Sequence, residues 1–287
     1  MSLASISKTD TLKDRAAKLA TARAFFAKRG VMEVDVPILS RSASVDIHID
    51  LVNVVCCGKL AFLHSSPEYG MKRLLAEGIG DIYQISHVFR DGEQGERHTV
   101  EFTMAEWYRI GFSLQDMMDE TLEFIRLFLD RLPPTHETFS YRDLFMHYVG
   151  KYPSSVEERD TVYAFEVEPH LGKEVLTVVK GFPPEQAALA GIGPDGLAER
   201  FEVYYQGIEL ANGYHELIDH HEQRKRLNEA NEERRKLGKQ VLPIDEELIQ
   251  ALAQGIPDCC GVAVGFDRLM MLRHQVEEIR EISSFFV

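Results

Sequence analysis

The sequence predicts an α+β fold, an antiparallel sheet flanked by helices. Segments that alternate apolar and polar residues come in pairs joined by short turns, as hairpins do. Helix-spaced segments lie between those pairs. Neither a G-x-x-x-x-G-K-[ST] loop nor a G-x-G-x-x-G fingerprint occurs, so a nucleotide, if bound, is held in another way.

In chain order, Leu12, Ala16, Leu19, Ala22 and Phe26 recur at helical spacing over 11–30, and Gly30 fits the stop. In "VMEVDVP", Val31, Glu33 and Asp35 alternate with Met32, Val34 and Val36, which predicts a strand closed by Pro37. "FLHSSPEYGMKRLLAEG" reads as a strand end, a Ser-Ser-Pro turn and a helix with Pro67 in its first turn behind a Ser66 cap. "DIYQISHVFRDG" is a strand and a turn, and "HTVEFTMAEWYRIGF" is a second strand. Ser113 with Asp116 caps the amphipathic "LQDMMDETLEFIRLFLDRL", ended by Pro133 and Pro134.

Over 131–196 the pattern weakens and "GFPPEQAALAGIGPDG" reads as loop. "AERFEVYYQGIELANG" is strand-like, with a tight turn offered at Asn212-Gly213. "HEQRKRLNEANEERRKLG" reads as a solvated charged helix, with Glu222 and Arg226 spaced i to i+4. "CCGVAVGFDRLMMLRH" is a Gly-rich strand, a turn and a helix. No internal repeat or low-complexity segment is visible. The expectation is one domain over 1–287, with a polar tail at about 1–11 whose Met-Ser-Leu start is compatible with a cloning remnant.

The 287 residues can bury a large core, and 45% hydrophobic with 27% charged residues is ordinary for a globular protein. No apolar run approaches the roughly 18 residues of a membrane span. The polar start is no secretory leader, so a cytoplasmic location is expected. A formal charge of −14 disfavours a general nucleic-acid or membrane-surface binder and suits a protein that binds cations. The four cysteines stand as two adjacent pairs, Cys56-Cys57 and Cys259-Cys260, without C-x-x-C spacing, and read as thiols of a cytosolic protein.

Three segments put unusual polar groups on strands, and a fourth leads into a helix start. Arg90 in "VFRDGEQGERH" is either a surface arginine on a turn or a guanidinium fork that clamps a phosphate. Glu106 and Tyr108 in "EFTMAEWYR" share one face of a strand with Phe102 and Met104, as half-buried packing or as an ammonium site. Glu202 and Glu209 flank a strand-like run. They are either two solvated acids or a pair whose repulsion Mg²⁺ would relieve. "GVAVGFDR" leads a small-residue strand into Arg268 at a helix start, where a ligand could approach the backbone and an anion could bind. "YQGIELANGYHEL" adds Asn212 and Glu216 among apolar neighbours.

Taken in order, these segments resemble the catalytic domain of class II aminoacyl-tRNA synthetases over about residues 12–285. "VDVP" with the helix before it is similar to motif 1, "FRDGEQGERHTVEF" to motif 2 and "GVAVGFDRLMML" to motif 3. "SSPEYGMKRLL", "EFTMAEWY" and "GIELANGYHEL" resemble the lysine branch. That branch carries an N-terminal anticodon-binding barrel, and here the catalytic segments start almost at residue 1. This pattern, with "VEPHLGKE" and "IPDCCGVAVGFDR", resembles the elongation factor P lysine ligase family.

The resemblance implies ATP and Mg²⁺ as cofactors, elongation factor P and lysine or (R)-β-lysine as substrates, no tRNA, no membrane and a homodimer. It implies Arg90 on the α-phosphate, Phe102 against adenine, and His98 and Arg268 at the β- and γ-phosphates. Asp91, Gly92, Glu93, Thr99, Leu210 and Gly265 complete the ATP set. Glu202 and Glu209 hold the metal, Glu209 also serving ATP. Ser66, Pro67, Glu68, Glu106, Tyr108, Asn212, Glu216 and Ala263 line the amino-acid pocket, with Glu216 and Tyr108 for the side-chain ammonium and Glu68 and Glu106 for the other amine.

Three departures stand out. The motif 2 acid is displaced to Glu93, Thr99-Val100 replaces the common Asn-Pro, and the stretch near "YPSSVEERDTVYAF" is shorter than in relatives. Ala263 stands where lysyl-tRNA synthetases usually have Gly, which fits ligases that favour (R)-β-lysine. One methyl group discriminates by about 1–3 kcal/mol. Amino-acid activation for another acceptor remains an alternative. The intact Arg, Glu and Arg set speaks against a catalytically silent regulatory paralogue.

Overall fold

The computed structural model describes residues 7–283. The expected polar tail therefore falls partly outside the described residues. Its last part is instead helical, because the Ser7 hydroxyl accepts the Asp10 N–H and starts a helix at Lys8. In chain order the elements are α1 Lys8–Ala27, β1 Met32–Glu33, β2 Leu39–Ser40, β3 Asn53–Cys56, β4 Lys59–Leu63, α2 Glu68–Ala76, β5 Ile82–Phe89, β6 Glu101–Ile110 and α3 Leu114–Arg126. They continue with β7 His136–Ser140, α4 Tyr141–Tyr148, α5 Val156–Val162, β8 Leu176–Phe182, β9 Ala198–Tyr205, β10 Ile208–His215, α6 His220–Lys236, α7 Glu246–Gln254, β11 Cys259–Gly265 and α8 Phe266–His274. Among the described residues no helix is long and apolar enough to cross a membrane.

The contacts divide the chain into two compact units. The first holds Met1–Tyr108, Ile218–Pro257 and Gly265–Val287. Its strands run β1-β5-β6, with β1 parallel to β5 and β5 antiparallel to β6, beside a small antiparallel sheet β2-β4-β3. Phe26 of α1 stacks on Tyr83 at 4.1 Å and meets Trp107 at 5.2 Å, which fixes α1 on the β5–β6 pair. The strand expected over "VMEVDVP" shrinks to two residues. Beyond Glu33 only the Val34 N–H still reaches a strand carbonyl, that of Tyr83, and the Val36 N–H turns to the Gln84 side chain.

The second unit holds Arg109–Leu217 and Asp258–Val264. Its five strands run β11-β10-β9-β8-β7, antiparallel except for the parallel β7–β8 pair. α3 packs on β9 and β10, and α4 on β7 and β8. The expectation of largely antiparallel strands flanked by helices holds in each unit.

The stretch read as weakly patterned, 131–196, contains β7, α4, α5 and β8, and it supplies the core of the second unit. Tyr141, Leu144 and Phe145 of α4 bury against Tyr163, Val167, Leu171, Val179 and Phe182. The elements are too short for a long periodic signal: α4 has eight residues, of which Tyr141, Leu144 and Phe145 are buried. The Ser140 cap on the Asp143 N–H was the available cue.

The tight turn lies elsewhere than at Asn212-Gly213. Tyr205 pairs with Ile208, so Gln206-Gly207 forms the two-residue hairpin loop, with φ of 51° and 67°. Leu171 and Gly172 hold it through their carbonyls, at 2.8 Å to the Gly207 N–H and 2.7 Å to the Gln206 N–H. Asn212 and Gly213 sit inside β10. Gly213 is required there by packing, since a Cβ would lie 2.4 Å from the Phe201 ring.

α6 also departs from its expected solvated character. Gln223, Leu227, Asn231 and Arg234 form a buried stripe. Most of it is polar, so hydrophobic spacing could not reveal it. Asn231 exchanges two bonds with Leu242, and Arg234 donates to the carbonyls of Gln240, Asp46 and Ile49 and to the Asp50 carboxylate. The Glu222–Arg226 pair is present at 3.0 Å.

Candidate active site

In the first unit, the long β5–β6 connection begins at Arg90, whose N–H bonds the Val100 carbonyl at 2.9 Å and closes the base of the loop. The Asp91 N–H is held by the Asp50 carbonyl at 2.8 Å, Gly92 takes a φ of 76°, and Gly95 and His98 form an inner bridge. The Arg90 guanidinium lies 5.1 Å from the Phe102 ring centroid and 3.7 Å from Glu93. Its Nε is buried and has no hydrogen-bond partner among the described residues. A buried arginine nitrogen in that state is a donor suited to an anion. The acid displaced from its usual place in motif 2 thus still meets Arg90. The Thr99 hydroxyl donates to the Glu101 carbonyl.

Arg268 occupies the first turn of α8, behind Gly265 as the helix cap. The expected turn between strand and helix is absent, because β11 ends at the cap residue itself. Arg268 Nη2 lies 2.7 Å from His98 Nε2, so the two residues assigned to the outer phosphates stand together. Asp267 was not foreseen. It accepts the Thr103 N–H at 2.7 Å and pairs with Arg15, which also donates to the Thr103 hydroxyl at 2.7 Å. This buried carboxylate locks the start of α8, and with it the Arg268 backbone, to β6 and α1.

The same unit carries the predicted amine residues. Glu106 is 2% exposed and accepts hydroxyl bonds from Ser66 at 2.7 Å and from Tyr108 at 2.8 Å. Pro67 rather than Ser66 takes the α2 cap position, and the Ser66 oxygen accepts the Glu68 N–H at 3.0 Å while its proton goes to Glu106. Glu68 meets Lys72, a lysine only 1% exposed, at 2.6 Å. Lys72 is a second residue that pattern reading missed. Its i to i+4 spacing from Glu68 was the signal.

In the second unit one sheet face gathers the remaining residues. Glu202 lies opposite Asn212, and Asn212 opposite Ala263. The register slips between Glu209 and Ala211, and this bulge at Leu210 lets Glu209 and Asn212, an odd number of residues apart, share the face of Glu202. Leu210 itself is 2% exposed. Glu216, at 6%, follows the strand end on the same side, its N–H bonded to the Cys259 carbonyl.

Arg200, which the sequence reading passed over, organises this face. It donates to the Gln186 carbonyl at 2.6 Å and to Asn212 at 3.3 Å, and it pairs with Glu202. The Tyr204 hydroxyl donates to the other Glu202 oxygen. Burial pushes the Glu202 carboxyl above its usual range; Arg200 opposes this, and the charge of Glu209 adds to it. The cue was position alone: Arg200, Glu202 and Tyr204 are spaced by two in "ERFEVYY".

No group of three acid, histidine or cysteine side chains able to cage a metal occurs among the described residues. Two carboxylates that repel on one face fit a hard cation whose shell a ligand's phosphates complete, which is the usual arrangement for Mg²⁺.

The family described as tRNA synthetases class II (D, K and N) matches residues 1–286. An elongation factor P–(R)-β-lysine ligase of Haemophilus influenzae (strain PittGG) is 42% identical, over 96% of this chain and 94% of the relative. Proteins of the same name from Pasteurella multocida (strain Pm70) and Salmonella typhi are 41% and 40% identical at the same coverage. The first alignment spans 307 positions against 287 residues here, so that relative carries segments this chain lacks.

Proposed function

The chain belongs to the class II tRNA synthetases (D, K and N), and from that premise we propose that it is an AMP-forming ligase. It activates lysine or (R)-β-lysine with ATP and transfers it to the ε-amine of a lysine on elongation factor P. The observation that carries the reading is Glu106, a buried carboxylate held by two hydroxyls, in a chain matched over 96% of its length by a ligase named for that substrate. The Ser66 and Tyr108 hydroxyls fix the orientation of this buried acid, and a buried carboxylate of fixed orientation is suited to accept from an ammonium group. Charged hydrogen bonds of that kind contribute about 1.5–3 kcal/mol each.

In the first step the substrate carboxylate attacks the α-phosphorus in line and pyrophosphate leaves. Arg90 neutralises the α-phosphate, and His98 and Arg268 the outer phosphates, so catalysis is positioning plus electrostatics. Phe102 supports the adenine. Asp91, Gly92, Glu93, Thr99 and Gly265 of the first unit are assigned to the nucleotide, as is Leu210 of the second. Glu202 and Glu209 hold Mg²⁺, which supplies charge neutralisation to the phosphates. For the amino acid the assigned residues are Ser66, Pro67, Glu68 and Tyr108 with Glu106 in the first unit, and Asn212, Glu216 and Ala263 in the second. In the second step the target amine attacks the adenylate carbonyl, AMP leaves, and an amide results. The working form is a homodimer, checked by sedimentation.

The test is lysine-dependent or β-lysine-dependent pyrophosphate exchange, followed by the mass of elongation factor P after incubation. A mass increase of one aminoacyl residue is expected. Charging of bulk tRNA without modification of the factor would refute the reading. Glu216→Ala is expected to lose amino-acid-dependent exchange while staying folded, and near-normal exchange would reject its role.

A further inference from the structure

The β3–β4 hairpin carries two cysteines at its tip. Cys56 pairs with Lys59, so Cys57 and Gly58 form a two-residue loop with φ of 52° and 73°. Loops of this kind ordinarily place Asn, Asp or Gly at the first position. A residue with a Cβ loses roughly 1–2 kcal/mol in left-handed backbone, and the proposed ligase chemistry does not use Cys57.

The unusual backbone has a geometric consequence. Consecutive side chains of a strand point to opposite faces. Cys259 and Cys260, inside β11, follow that rule and are both buried. At the hairpin the left-handed residue breaks the alternation, and the two sulfurs lie 4.0 Å apart. Both residues are exposed. Two accessible thiols on one side of a short loop form a bidentate soft donor pair.

We propose that Cys56 and Cys57 form a dithiol binding site for a soft, three-coordinate thiophile of the trivalent arsenic class. With phenylarsine oxide the two thiols replace the oxygen. Two As–S bonds form, the arsenic–oxygen bond breaks, both thiol protons leave with the oxygen as water, and arsenic stays trivalent. No oxidant or reductant is needed. The site is independent of the ligase reading.

The experiment adds one equivalent of phenylarsine oxide to the intact chain and reads intact mass and accessible thiols. One phenylarsenic group per chain is expected, with two thiols lost, stable to excess monothiol and removed by a dithiol. Cys56→Ser and Cys57→Ser are expected to bind about 10²–10⁴-fold more weakly, the usual gain from a second tethered contact. Cys57→Gly keeps the turn geometry, so its loss of binding reads the thiol and not the fold. A variant doubly substituted as Cys259→Ser and Cys260→Ser keeps full binding. Absence of the adduct, or equal binding by the Cys57→Gly variant, overturns the proposal.

Discussion

Gly213→Ala tests the most consequential revision of the hairpin. The added methyl would stand 2.4 and 2.5 Å from two carbons of the Phe201 ring and 3.1 Å from the Gly261 carbonyl. Phe201 is fully buried, so the ring cannot swing into solvent. Overpacking of a closed core costs about 1–3 kcal/mol. Replacing glycine within a strand returns about 0.5–1 kcal/mol. The net expectation is a loss of about 1–2 kcal/mol, a fall in Tm of about 2–8 °C for a chain of this size.

The assay is urea and thermal unfolding of four proteins: wild type, Gly213→Ala, Phe201→Leu and the double variant. Leucine in place of the ring opens space for the methyl, so the double variant should be more stable than the sum of the singles by at least about 1 kcal/mol. Additivity within about 0.5 kcal/mol would refute the packing argument. A turn at Asn212-Gly213 would leave the glycine insensitive to residue 201.

Gly172→Ala should cost more than Gly213→Ala, because its Cβ would meet the Tyr205 backbone at 2.4 Å and its φ is +68°; equal losses would count against this. Arg234→Met removes four hydrogen bonds of a fully buried guanidinium and should lower stability by about 3–5 kcal/mol at roughly 1 kcal/mol per bond. The same variant should speed deuterium exchange at the Asp91 N–H, whose acceptor is the Asp50 carbonyl; an unchanged exchange rate would separate the two.

His215 lies between Glu199 at 2.9 Å and Asp258 at 2.7 Å. Burial lowers its pKa, but these two acids outweigh burial and raise it. Its stabilisation is therefore complete below the ordinary histidine range and is lost as pH rises through the raised value. The stability difference between wild type and His215→Gln should shrink across that window, and a difference that grows with pH would reverse the assignment.

Long elements with a clear period, a cap or a proline stop were legible in the sequence: α1, the Ser113–Asp116 box of α3 and the β5–β6 pair; β11 and α8 were legible as elements, but not their direct junction. The candidate residues were legible for a related reason. Strand alternation puts Glu106 beside Tyr108, and fixed spacing orders the three motifs. Short elements were not, as the core helix α4 shows, and neither was the polar stripe of α6, because hydrophobic period carries no signal where burial is satisfied by hydrogen bonds.

The sequence by itself determined the family, the order of the elements and the chemical types of the candidate residues. Tertiary structure alone decided which polar groups are already paired: Glu68 with Lys72, Glu202 with Arg200 and Tyr204, Asp267 with Arg15 and Thr103. It also decided that Gln206-Gly207 turns while Gly213 yields to Phe201, and that a bulge at Leu210 brings Glu209 onto the face of Asn212. Local pattern follows from backbone period, which is written along the chain. Pairing and register follow from distances between residues far apart in sequence, and only the folded chain fixes those.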